Sequence, residues 1–224
     1  YVQSKRPLPF LRWLAAAACL FVVARIAYEP RIVGSDLGTT PIFNWLLWGY
    51  GVPALSFWAA GWLLRKQKDD FPSRFADSLA ILFTALFFSM QIRHYVNGGD
   101  IFKDSASFTE FAMHVIVGLA MTIGLERTRT VTKNVVHDVG ARIIAILSFI
   151  GIYAGLLVFE NPFFTGASIG DGRYINLLTL GYLLPAVLVG ILAMVYQKTR
   201  TENFRTVAAV TSIVLTMAYL TLQV

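Results

Sequence analysis

Seven stretches of the chain, residues 8–28, 43–64, 76–96, 108–125, 141–159, 174–196 and 207–224, are long and almost continuously apolar. A bilayer's hydrocarbon core is about 30 Å thick, and roughly 20 residues of α-helix cross it. Inside lipid every backbone amide must find its partner within the protein, which leaves helices or closed barrels. These runs lack the two-residue alternation of a membrane barrel strand. The pattern predicts an all-α, polytopic transmembrane bundle of seven helices, with the lipid bilayer as its first partner. Composition argues the same way. The chain is 56% hydrophobic and 14% charged, with a mean hydropathy of +0.62, whereas a soluble domain carries about 25% charged residues. A water-soluble or disordered chain is excluded.

The net charge of +6 does not imply nucleic acid, because the basic residues lie in short segments between the apolar runs. Lys5, Arg6, Arg65, Lys66, Lys68, Arg74, Arg127, Arg129, Lys133, Arg142, Lys198, Arg200 and Arg205 fall on one side of the bundle. Only Arg31, Arg93, Lys103 and Arg173 fall on the other, and Arg12 and Arg25 lie inside the first run. Basic residues near span ends favour the cytoplasm, so the amino terminus is expected inside. The one cysteine, Cys19, forms no intrachain disulfide. It follows three alanines, but the apolar run continues past it, as in a spanning helix and unlike a cleaved signal.

Shifting the chain against itself without gaps, so that Asn44 falls on Asn176, also places Leu46, Gly49, Tyr50, Pro53 and Ala54 on Leu178, Gly181, Tyr182, Pro185 and Ala186. The same shift carries Pro30, Gly34 and Gly38 onto Pro162, Gly166 and Gly170, and Gln91 onto Gln223. Matched apolar residues arise by convergence; a matched Asn-x-Leu-x-x-Gly-Tyr-x-x-Pro-Ala is the mark of a repeat. The offset spans four helices, so the copies are expected to be parallel, related by an axis along the membrane normal. Residues 8–139 form the first four-helix repeat and 140–224 a second, cut after its third helix. The chain is therefore expected to be a piece of a longer protein, whose remainder is a partner. That remainder is expected to continue with a basic or imidazole-bearing pair matching Arg93-His94.

Asn44-x-x-Leu47-x-x-Tyr50-x-x-Pro53-Ala54, followed by Arg93-His94 ending a later helix and Glu110 opening the next, resembles the bacterial membrane-protein family called domain of unknown function 2339. The resemblance covers most of 30–125. It is weaker in the second copy, where Thr179 stands at the Leu47-type position. It implies a many-helix protein of the bacterial cytoplasmic (inner) membrane, and it supplies no activity.

Two groups of residues are candidates for function. Proline inside a helix leaves the carbonyl four residues earlier without its donor, which is Gly49 for Pro53 and Gly181 for Pro185. Asn44 and Tyr50, and Asn176 and Tyr182, flank these positions. Interrupted helices at matching positions of two repeats line substrate sites in transporters; the packing alternative is that neighbours re-satisfy the carbonyl. The second group is Gln91, Arg93 and His94, leaving the third helix, with Glu110 and His114, spaced i,i+4 at the start of the fourth. Glu110 is expected to pair with Arg93 or His94 at the outer face, as a structural ion pair or as a polar site. His114 lies outside the family pattern.

No compact metal-ligand motif or nucleotide fingerprint is present, so no metal, cofactor or catalytic set is assigned. Gly151 and Gly155 are read as close-packing positions, and His137-Asp138 as solvated. The leading expectation is a protein that handles a small polar or anionic solute near the outer leaflet. The alternatives are a membrane-embedded enzyme using Glu110 and His94 as acid and base on a lipid-linked or envelope substrate, and a structural scaffold.

Overall fold

Four of the helices begin at capping side chains: Asp70, Ser107, Asn134 and Asn161. In the computed structural model, which describes residues 9–29, 38, 40–103, 107–166, 170, 172 and 176–223, α1 covers Pro9–Tyr28. A single π turn, Leu47–Gly51, runs directly into α2, Val52–Arg65. Asp70 then caps α3, Phe71–Val96, in a reciprocal box with Ser73, with Pro72 in the first turn. Such a box satisfies two amides that the helix start would otherwise leave bare. α2 and α3 pack along their length on a core of Leu46, Tyr50, Ala54, Phe57, Ala80 and Phe83, to which α1 adds Cys19.

Ser107 caps α4, Phe108–Thr132, which closes on Lys133 in the left-handed conformation at φ 51°. Asn134 at once caps α5, Val135–Ile150, through the Val136 amide. α5 continues without a break into a π-helical segment, Gly151–Phe159, and a one-turn helix α6, Pro162–Thr165, follows. A second single π turn, Thr179–Leu183, leads into α7, Leu184–Thr199, and α8 spans Glu202–Leu222. α4 packs against α5 and α7, and α7 against α8. Their core holds Val115, Leu119, Ile152, Leu156, Tyr182, Val189 and Leu215. Gly155 has the close approach expected of it: a Cβ there would lie 2.8 Å from the Phe111 ring.

Every element among the described residues is helical, with no strand. Six helices there are long and apolar enough to cross a membrane: Phe10–Tyr28, Phe71–Val96, Phe108–Thr132, Val135–Thr165, Thr179–Thr199 and Glu202–Leu222. The expected span at 43–64 does form a helix, but Trp48, Tyr50, Trp58, Trp62 and three glycines dilute its apolar character. The contacts divide the chain into two units, Tyr1–Lys103 and Asp104–Val224. That boundary follows packing, whereas 8–139 and 140–224 follow sequence register. Residues 30 and 34 of the aligned loop, and residue 224, lie outside the described residues.

Candidate functional site

Asn44 sits just ahead of the first π turn and uses its whole amide. Its Oδ1 accepts from the Leu46 amide at 3.0 Å, and its Nδ2 donates to the Thr40 carbonyl at 3.1 Å. Across the interior, Asn44 and Gln91 of α3 exchange two bonds, Nδ2 to Oε1 at 3.0 Å and Nε2 to Oδ1 at 3.1 Å. Gln91 also bridges both backbone groups of Ile42. One turn further along α3, the buried His94 lies over the same amide. Its Nε2 is 2.6 Å from the Gly38 carbonyl, and its Nδ1 is 3.5 Å from Asn44 Nδ2. A carbonyl only accepts, so Nε2 carries a proton. Gly38 stands at φ 81°, a conformation that costs glycine little.

The second unit holds the same clasp in its own residues. Asn176 Oδ1 accepts from the Leu178 amide at 3.0 Å, and Nδ2 donates to the Gly172 carbonyl at 3.0 Å. Asn176 and Gln223 exchange two bonds of 3.3 Å. Both asparagines reach a glutamine 47 residues later and a carbonyl four residues earlier. Each is followed by a π turn closed by a bond to its first carbonyl, Leu47 or Thr179. Tyr50 and Tyr182 are buried at 1% and 0% exposure, and the Tyr182 hydroxyl donates to the Leu156 carbonyl at 2.6 Å. Gly181 lets α4 approach: a Cβ there would run into the Phe108 ring. The break anticipated at Pro53 and Pro185 thus takes the form of a π turn that precedes each proline.

Asn44 and His94, placed in separate groups by the sequence, form one cluster. Arg93 holds a loop of its own unit, donating to the carbonyls of Ile101 at 2.7 Å and Lys103 at 2.5 Å. Glu110 is buried in the first turn of α4, in the second unit. His114 Nδ1 donates to the Glu110 backbone carbonyl at 2.8 Å, so the i,i+4 spacing joins ring to backbone through that atom. Among the described residues, no three of His, Cys, Asp and Glu gather to hold a metal ion.

Two charged clusters were not anticipated. Arg12, inside α1, donates to both Asp70 carboxylate oxygens at 2.8 and 2.6 Å, and to the Leu64 and Lys68 carbonyls at 3.1 and 2.9 Å. Burial raises the Asp70 pKa, but the bonds from Arg12 and the Ser73 amide outweigh it and hold the group below its usual 3.8. In the second unit Glu126 binds Arg129 at 2.8 Å and Arg200 at 2.5 Å, and Asp138 binds Arg129 at 2.9 Å and Arg200 at 2.7 Å. The solvated reading of His137-Asp138 is corrected here. His137 is fully buried and bonded to the Thr132 hydroxyl at 2.8 Å, and Asp138 joins this network because α4 and α5 fold back through only two residues. The i,i+3 pair Glu126–Arg129 and the i,i+4 pair Asp138–Arg142 were the available signals. A cavity of about 380 Å³ beside the network is lined by Arg129, Thr130, Lys133, Asn134, Val135 and Asp138.

Comparison with known families bears on what these helices belong to. The family described as predicted membrane protein, domain of unknown function 2339, matches residues 2–224. The chain belongs to that family. It is a multi-pass membrane protein whose family description carries no activity. No curated protein and no solved structure matches it. Within the family's span lie both asparagine clasps and both charged clusters.

Proposed function

We propose that this chain is a scaffold of the bacterial cytoplasmic membrane, built from two parallel copies of a four-helix repeat and crossing seven times from a cytoplasmic amino terminus. The observation that carries the reading is the saturation of Asn44 and Asn176. Each amide spends its donors and its acceptor on Gln91 or Gln223 and on backbone next to a π turn. A solute site at these positions would need those same atoms for its ligand. The amides instead tie the start of one membrane helix to the end of another, where an unmade bond in lipid is costly. The equal reach from asparagine to glutamine in both units and the matching π turns support the repeat.

The test is a set of full-chain variants, Asn44→Ala, Gln91→Ala, Asn176→Ala and Glu110→Gln, assayed together for membrane abundance, thermal unfolding and growth phenotype. The scaffold reading expects the clasp variants to unfold at lower temperature, and any phenotype to follow abundance. A variant of normal abundance and stability that loses function turns the assignment to solute handling, or for Glu110→Gln to catalysis.

A further inference from the structure

We infer that the second unit carries a lipid site, a groove between α5 and α8 that takes one acyl chain of an anionic phospholipid, its phosphate held at the mouth by Arg142 and Asn203. The inference rests on the repeat register proposed above. The groove measures about 580 Å³, and its walls are almost wholly apolar, with Ala145, Phe149, Tyr153 and Val207 among them.

The first unit carries aromatic rings at the mouth of the equivalent seam, Trp13 and Phe71 each 61% exposed. At three of the positions that the register pairs with this groove, Trp13 stacks on Phe71 with centroids 5.8 Å apart, and Phe71 on Phe75 at 5.7 Å, whereas Phe149 and Phe204 of the groove stand where the first unit has Ala17 and Pro72. These rings lie between α1 and α3. The corresponding positions in the second unit are Ala145, Asn203 and Val207, so three rings give way to a methyl, an amide and an isopropyl group. The ring stack of the first unit is absent here, and an apolar groove that faces lipid is filled by lipid, because close packing is the normal state of such a surface. The substitutions at the mouth are directional as well. Arg142 stands where the register puts Phe10, and Asn203 where it puts Phe71.

Length fits one leaflet. From Arg142 to Tyr153 is eleven helical residues, about 17 Å at roughly 1.5 Å each, against about 15 Å for half the hydrocarbon core. At the end away from Arg142 the Tyr153 hydroxyl is bonded to the Thr211 hydroxyl at 2.7 Å, tying the two walls together there. At the mouth, on the side assigned to the cytoplasm, the Arg142 side chain is 51% exposed and pairs with Asp138 through one nitrogen, leaving donors for a phosphate. A guanidinium and an amide select an anionic headgroup.

The experiment uses the full chain in detergent and native mass spectrometry with dioleoyl phosphatidylglycerol, dioleoyl phosphatidylcholine and glycerol 3-phosphate. One phosphatidylglycerol is expected to bind saturably, about fivefold tighter than phosphatidylcholine, and glycerol 3-phosphate is not expected to displace it. Arg142→Gln should erase the fivefold preference and keep the phosphatidylcholine affinity. The triple variant Ala145→Trp, Asn203→Phe, Val207→Phe, which imports the first unit's rings, should bind neither lipid and unfold at the wild-type temperature or higher. A triple variant that folds normally and still binds phosphatidylglycerol overturns the lipid site. A triple variant with lowered unfolding temperature overturns the register instead, and Ala145→Trp alone with Arg142→Gln then decides the site. Equal binding of the two lipids, displacement by glycerol 3-phosphate, or a wild-type chain that binds no lipid because a second copy covers the groove would each overturn the proposal.

Discussion

Arg12 lies in an apolar segment, yet its guanidinium is consumed by Asp70 and by the carbonyls where α2 ends. A charge in a membrane helix is tolerated when it is paired and turned inward, and here it also supplies donors to one carbonyl in the last turn of α2, Leu64, and one beyond it, Lys68. Arg12→Met should lower stability by about 2 kcal/mol, from the loss of charge-assisted bonds, measured by thermal unfolding in detergent. Asp70 gives this pair a pH dependence. Its folded pKa lies below 3.8, so its contribution is complete above 3.8 and is lost as pH falls through the folded value. Asp70→Asn keeps the cap and should flatten that acid limb of the stability curve. The second unit's network behaves differently, because the Glu126 side chain is 1% exposed and the Arg200 side chain 6%. Arg200→Met strands part of that charge and should cost about 3 kcal/mol, while Arg200→Met with Glu126→Leu should recover some of it. Full additivity of the two changes would refute the coupling.

At the scale of elements, the apolar runs make the helices legible because lipid leaves the backbone no other choice. The ends are less legible. α3, α5 and α8 begin before their apolar runs do, after Asp70, Asn134 and Thr201, since a first polar turn belongs to the headgroup region, whereas α4 begins with its run at Phe108. The two π turns are visible in the letters only as a Gly-Tyr-x-x-Pro spacing. What that spacing cannot show is that Asn44 meets Gln91 and His94, because contacts so far apart along the chain depend on how two helices are rotated. The charge network was hidden for a different reason: in a membrane chain every loop arginine already has a reading as a topology signal, and burial is not written in the letter. The second π turn offers a direct check. Gly181→Ala drives a methyl into the Phe108 ring, and should destabilise by about 1–3 kcal/mol, as overpacking does. Tyr182→Phe removes only the 2.6 Å bond to Leu156, and should cost about 1 kcal/mol. A larger loss from Tyr182→Phe than from Gly181→Ala, measured by thermal unfolding, would mean that the hydroxyl bond, not the close approach of α4, holds the geometry there.

For the molecule as a whole, sidedness is the property on which the proposed repeat and scaffold both depend. Thirteen of the nineteen Lys and Arg residues fall on the side assigned to the cytoplasm, and the charge network of Arg129, Asp138 and Arg200 sits at that same end of its unit. A basic end that is also internally paired is a strong anchor, because moving it across the membrane would carry several charges through hydrocarbon. The prediction uses the single native thiol to advantage. With Cys19 replaced by Ala, cysteines at Thr130 and Phe163 stand at the two ends of the α5 passage. Phe163 is 77% exposed, and Thr130 follows the network on the last turn of α4. A membrane-impermeant maleimide should label the Phe163→Cys chain in intact cells and the Thr130→Cys chain only in inverted vesicles. The opposite pattern reverses the proposed orientation while leaving the bundle intact. Labelling of both from one side removes the crossing by α5. The offset that carries Asn44 onto Asn176 would then no longer span an even number of helices, and the two asparagine clasps would face opposite leaflets.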